Sequence, residues 1–157
     1  MTIEISGVIS DVKRHLSVIG KRLYTKEGKN MFSDITTSTA EDPIFWQYVE
    51  AGVETVRSAL QPVLGKLELN AAVQTLDVTF RNERAEAGAE NYVGNHVKTY
   101  LTLYTLGEYL GSVRPESAEK YRAGADSIMT ALQMYAYHKE PPVAASQSYN
   151  DINGTTV

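Results

Sequence analysis

Cysteine is absent from this chain, which excludes a disulfide framework and every chemistry that runs through a thiolate, and fits a reducing compartment. No window approaches the roughly 20 consecutive apolar residues of a membrane span, so no membrane association is expected. The opening Met1–Ser6 lacks a basic region followed by an apolar block, so no secretory signal is expected either. Basic charge is in short supply: 15 Lys and Arg face 19 Asp and Glu, a net charge of -4. That balance argues against nonspecific binding to phosphate backbones, which needs a concentrated basic field. Lys13, Arg14, Lys21 and Arg22 read as the solvated face of a helix instead. The glycines form no G-x-G-x-x-G and no P-loop, and the serines no G-x-S-x-G.

At 157 residues the chain has the size of one domain, large enough to bury roughly two thirds of its unfolded surface around a single core. From Ile5 the apolar positions Val8, Ile9, Val12, Leu16, Ile19 and Leu23 follow in steps of three and four, predicting a helix from about residue 3 to 24. Thr25 to Ala40 breaks that period with Gly28, Asn30, Ser33 and a Thr36–Thr39 run, and reads as a long polar loop. Asp42-Pro43 is a helix start, with Asp expected to accept from first-turn amides and Pro lacking an amide to orphan. Phe45, Val49, Val53, Val56, Leu60 and Leu64 then predict a second helix ending around Gly65, with Pro62 stopping or bending its last turn.

The period changes to two between Val73 and Phe80, which predicts a short strand. Such a strand needs a partner for its backbone groups, either a strand near Leu67–Leu69 or one from another subunit. After a charged connection from Arg81 to Gly88, Val93, Val97, Tyr100, Leu101, Tyr104 and Leu110 define a third helix, with Gly111 as its expected C-cap. Arg114-Pro115-Glu116 opens a fourth, and the link Ser112–Arg114 is short enough to make the two antiparallel neighbours. Pro141 to Val157 is poor in large apolar groups and reads as an extended tail. The expected fold is mainly α: about four helices, a short strand or hairpin between the second and third, and extended loop and tail arms.

Candidate chemistry is sparse. Asp11 and His15 lie four apart and could meet as a carboxylate-oriented base, but a surface ion pair is the simpler account. His96 has no neighbouring His or Cys at metal-ligand spacing and reads as a core-edge or interface residue. His138 sits where a cation complements a helix C-terminus. Glu83, Glu86 and Glu90 could line one face but lack an accompanying Glu-x-x-His. No metal, cofactor or catalytic residue is expected, although a site assembled from distant residues would escape this reading. The ten tyrosines are more telling, with seven of them between Tyr92 and Tyr137. Packing between the last two helices is the expected role of Tyr100, Tyr104 and Tyr121, whereas Tyr109 and Tyr137 lie off the main stripe and fit either packing or a contact surface.

Several stretches resemble the head-to-tail connector (adaptor) proteins of tailed phages and prophages. Phe45-Trp46-Gln47-Tyr48-Val49 through Leu60-Gln61-Pro62-Val63-Leu64 resembles that family's helix ending in L-x-P-x-L, and Thr75–Phe80 resembles the strand that follows. Tyr100–Leu110 and then Glu116-Ser117-Ala118-Glu119-Lys120-Tyr121 resemble its closing helix pair, and Lys139-Glu140-Pro141-Pro142 its exit. The family's exit carries an arginine after the proline; here Val143 follows and the chain continues to Val157.

The resemblance covers residues 1–143 as a connector-like domain, with 144–157 as a C-terminal tail. It implies a non-enzymatic virion protein, made in the host cytoplasm. Roughly a dozen copies would form a closed ring beneath the portal protein, contacting tail or stopper proteins while DNA passes through without specific binding. The candidate subunit-interface residues are Leu76, Val78 and Phe80 on the strand, Phe32 in the loop, Tyr109 and Tyr137 on the helix pair, and Pro141, Pro142 and Tyr149 in the tail. The alternative is a soluble helical binding or regulatory module that grips one partner with its tyrosine-rich helix pair.

Overall fold

In the computed structural model, residues 1–21, 28, 32–33, 35, 38–81 and 89–137 are described. Their order is β1 (Thr2–Glu4), α1 (Ile5–Lys21), α2 (Asp42–Leu60), β2 (Leu64–Asn70), β3 (Thr75–Phe80), α3 (Ala89–Val113) and α4 (Pro115–Tyr137). The chain is mainly helical, and the β2–β3 hairpin stands between the second and third helices as expected. Most of the loop anticipated at Thr25–Ala40, the connection 82–88 and the tail from Pro141 lie outside the described residues.

The first helix starts two residues later than its periodicity suggested. Thr2, Ile3 and Glu4 alternate exposed, buried, exposed and pair antiparallel with β3, Ile3 opposite Leu76. The helix then begins at Ile5, whose amide donates to Gln74 O at 2.9 Å. Its buried positions Ile5, Val8, Ile9, Val12 and Leu16 form one stripe, and Ser6, Ser10, Arg14, Val18 and Lys21 form the exposed stripe opposite.

The sheet has the order β1-β3-β2, all antiparallel. Of the two partners open to the strand at Val73–Phe80, the one within the chain is realised. Its partner near Leu67–Leu69 is β2, and its other edge is taken by β1, so β3 is central and satisfied within one chain. Val73 belongs to the turn, where the Asn70 side-chain carbonyl accepts from the amides of Ala72 (3.1 Å) and Val73 (3.4 Å) and Gln74 adopts a positive φ of 54°. Pro62 ends α2 at Leu60, and Gly65, expected near the helix end, instead sits at a register shift in β2.

Asp42 begins α2 without a side-chain cap. Its carboxylate takes Lys13 instead, Oδ1 to Nζ 2.6 Å, while Ser38 Oγ accepts from Ala40 N at 3.0 Å in the turn that leads in. The Lys13–Asp42 contact is ionic and poorly directed for a hydrogen bond, and this oxygen has no other partner among the described residues. It is nevertheless a tie between α1 and α2.

Central to the packing is α3, which lies against α1, α2 and α4. It runs to Val113, past the C-cap expected at Gly111. Gly107 and Gly111 are helix-interior residues that make room for Arg122 of α4: a Cβ on Gly107 would fall 2.9 Å from Arg122 Cγ, and one on Gly111 would collide with the guanidinium. Only Arg114 separates α3 from α4, its amide bonded back to Leu110 O at 2.6 Å and its carbonyl receiving Ser117 and Ala118. Pro115 suits the first helical position because it has no amide to orphan. Contacts between Tyr92 and Tyr135, Leu103 and Gly124, and Gly107 and Arg122 descend the pair in opposite directions, so the helices are antiparallel.

Candidate interaction surfaces

Of the residues expected to face a neighbouring subunit, Leu76 and Val78 are fully buried on the core face of β3, and Phe32 and Tyr109 are buried as well. Phe80 is partly buried against the same core. The apolarity of these five is therefore used inside one chain. Tyr137 is the last residue of α4, and Pro141, Pro142 and Tyr149 lie outside the described residues.

Tyr100, Tyr104 and Tyr121, expected to pack between α3 and α4, reach the other two helices instead. Tyr100 and Tyr104 stack at 5.6 Å, and Tyr104 lies against Gly52 of α2. The Tyr100 hydroxyl bonds with Thr55, and Tyr109 meets Phe45 edge-on at 5.1 Å. These three phenols thus knit α3 to α2. Burial is the main cause that raises the pKa of each, reinforced by Glu108 beside Tyr104 and by Glu41 beside Tyr109, whereas the Thr55 bond partly offsets it at Tyr100. Tyr121 reaches α1, its ring 6.3 Å from His15.

Asp11 and His15 do not form a carboxylate-oriented base. The imidazole Nδ1–H donates to the Asp11 backbone carbonyl at 2.8 Å, while the Asp11 carboxylate takes Arg14 (3.0 Å) and Lys98 of α3 (3.2 Å). Nor is the simpler account, an Asp11–His15 ion pair, what forms: the carboxylate's ionic partners are Arg14 and Lys98. The Glu90 side chain, Glu83, Glu86 and His138 lie outside the described residues. Among the described residues no three His, Asp or Glu side chains gather as a metal site, and no helix is long and apolar enough to cross a membrane.

Two open grooves are lined by described residues. One, of about 750 Å³, runs between α2 and β2 past Glu50, Glu54, Arg57 and Glu68. Each of its carboxylates is engaged: Glu50 accepts from Trp46 Nε1 (2.7 Å), Glu54 pairs with Arg57 (3.2 Å) and Glu68 with Lys66 (2.7 Å). The other, of about 510 Å³, lies where Ser10, Lys13, Asp42, Trp46 and Gln74 converge, with its one ion pair already formed.

A third feature was not singled out in the sequence. At the end of the bundle where α3 begins and α4 finishes, Tyr92 lies against His96 with ring centres 4.0 Å apart and planes tilted by 33°, and meets Tyr135 at 5.7 Å. His96 Nδ1 lies 2.8 Å from Tyr92 O; because a carbonyl only accepts, this nitrogen carries the proton. Tyr92 remains 43% exposed. The i, i+4 spacing of Tyr92 and His96 was the available signal. Comparison with known proteins finds no matching family, curated protein or solved structure.

Proposed function

We propose that this chain is a structural virion subunit, a head-to-tail connector or adaptor that forms a ring between portal and tail and catalyses no reaction. One observation carries the reading: the stretches that resemble that family fall on the elements the resemblance implies. Phe45–Leu60 lies in α2 and the chain turns at Pro62; Thr75–Phe80 is β3; Tyr100–Leu110 and Glu116–Tyr121 flank the Arg114 turn. The proposed partners are the portal protein, tail or stopper proteins and further copies of the chain, with the virion as its location and DNA passing without specific binding.

A closed ring requires two different surfaces on each subunit that fit one another. Because β3 is central, strand addition between copies would use the outer edge of β1 or β2. The engaged carboxylates of the larger groove also favour a binding surface over general acid–base chemistry. The alternative, a helical module gripping one separate protein, draws support from the partly exposed Tyr92, whereas Tyr100 and Tyr109 are consumed in packing.

Electron microscopy of the chain mixed with the portal protein encoded beside it tests the proposal. A ring seated on the portal is the expected result. A chain that ignores the portal would overturn the connector reading in favour of the single-partner alternative.

A further inference from the structure

A strand at the edge of a sheet carries backbone amides and carbonyls on one side with no ladder to join. β2 is such a strand: β3 pairs with one of its sides, and no strand lies along the other among the described residues. The register tells which groups face out. Val78 exchanges both of its backbone bonds with Met1, so Val78 and Leu76 turn their amides and carbonyls toward β1, and Thr75, Asp77 and Thr79 turn theirs toward β2. Lys66 and Glu68, opposite Thr79 and Asp77, therefore bond inward, whereas Leu67 and Leu69 present their amides and carbonyls at the open edge. The larger groove runs beside Leu67, Glu68 and Leu69 and leaves room there for another strand. β1, with three residues against seven, offers a much shorter edge.

Charge decides what that strand is. Lys66 and Glu68 share the exposed face of β2, Nζ to Oε2 2.7 Å, and Glu68 stands directly opposite Asp77 of β3, a like-charged pair. A cation is what suits its open side. β2 itself supplies one: laid antiparallel on a second copy about a two-fold axis at Leu67, it sets Lys66 against the partner's Glu68 and Glu68 against the partner's Lys66. These are non-hydrogen-bonded positions of the new pair, where side chains approach most closely. The Leu67 amides and carbonyls bond reciprocally at the axis. Other registers lack this match: pairing Leu67 with the partner's Leu69 sets Glu68 against Glu68, and centring on Leu69 runs the pairing past Asn70 into the turn.

We propose that two copies of this chain associate through their β2 edges, antiparallel and centred on Leu67, joining their two sheets into one. The register shift at Gly65 limits the ladder at each end, so the dimer is weak and concentration-dependent. The contact is isologous, the same patch on both copies, and so differs from the two unlike surfaces that a ring requires. It goes beyond the connector reading and is tested on the chain alone, so either can fail without the other.

The test is sedimentation of the full-length chain from micromolar to millimolar concentration, with amide hydrogen exchange followed at Leu67. The native chain is expected to double its mass as concentration rises, and the Leu67 amide to exchange more slowly in step. Glu68→Lys, at an exposed position, places like charges in both cross-strand pairs and is expected to weaken self-association by roughly tenfold or more. Combining Glu68→Lys with Lys66→Glu reverses every sign and is expected to restore it. A chain that stays monomeric throughout would overturn the proposal. So would a dimer that Glu68→Lys leaves unchanged, or one that the double variant fails to restore, because the copies would then meet on another surface or in another register.

Discussion

α1 and α3 are both helices whose apolar residues recur at three and four, yet they meet the rest of the chain differently. α1 lies at the edge and buries one stripe, leaving Ser6, Ser10, Arg14, Val18 and Lys21 in water. α3 lies in the middle, touched by α1, α2 and α4, and between Tyr100 and Leu110 it buries positions all around its circumference, Thr102 and Thr105 among them. An edge helix needs only a hydrophobic stripe. A central helix must also be narrow where a neighbour crosses and must find partners for whatever polar groups it carries inside. Glycine and tyrosine in α3 answer those demands, as does Thr102, whereas the Thr105 hydroxyl does not.

The largest expected effect tests enclosure itself. Leu16 in α1 and Leu101 in α3 are both fully buried, and Leu→Ala at either site removes the same atoms. The cost depends on how far the surroundings collapse into the cavity, so it should be about 3 kcal/mol for Leu16→Ala and about 4 kcal/mol for Leu101→Ala by denaturant unfolding. Equal losses would mean that α3 is no more enclosed than α1.

Glycine should show the contrast as a change of sign. In α1, a Cβ on Gly7 would meet only the end of the Lys98 side chain, 3.6 Å from Nζ. Gly7→Ala should therefore stabilise by about 0.5–1 kcal/mol, the difference in helix propensity. In α3, a Cβ on Gly107 would lie 2.9 Å from Arg122 Cγ and 3.4 Å from the Arg122 backbone nitrogen. Gly107→Ala should destabilise by about 1 kcal/mol despite the same propensity gain, because the α4 backbone has to move. Thermal melts of the two variants suffice to read the signs.

Threonine gives a smaller effect. Thr105 is fully buried and its hydroxyl has no hydrogen-bond partner among the described residues, whereas Thr102 bonds back to Lys98 O at 3.0 Å. Thr105→Val keeps the shape and removes the unsatisfied oxygen, so it should stabilise by about 1 kcal/mol, and Thr102→Val should not.

The same contrast explains what could be read from the sequence. α1, α2 and the Leu76–Val78–Phe80 alternation were legible because each buries one face, and one face leaves a period. The strand Thr2–Glu4 was not, because its three residues carry too short a pattern and its partner Leu76 is distant in sequence. The end of α3 was misplaced because Gly111, which resembles a C-cap locally, is there for Arg122, a contact that no local pattern records. The burial of Phe32 and Tyr109 was hidden for the same reason. Tyr109, off the main stripe, looks like a surface for a partner until Phe45 of α2 is seen to cover it.

The least of the expected effects appears at high pH and belongs to α3 alone, since α1 contains no tyrosine. Burial raises the pKa of Tyr100, Tyr104 and Tyr109 above the ordinary 10.0, because the phenolate loses more solvation than the phenol. In the unfolded chain these phenols ionise at the ordinary value. Between the two values the folded state holds more protons than the unfolded one, so stability falls as pH rises. The contribution is complete below pH 10.0 and is lost as pH climbs past it. Lysines titrate in the same range, so the measurement is a difference: unfolding midpoints of the native chain and of a Tyr100→Phe, Tyr104→Phe, Tyr109→Phe variant on either side of pH 10.0. The variant should lose less stability on crossing that value. Parallel losses in the two proteins would show that the three phenols are solvated well enough to ionise in place, and that the α2–α3 seam is looser than the edge-on Phe45–Tyr109 contact implies.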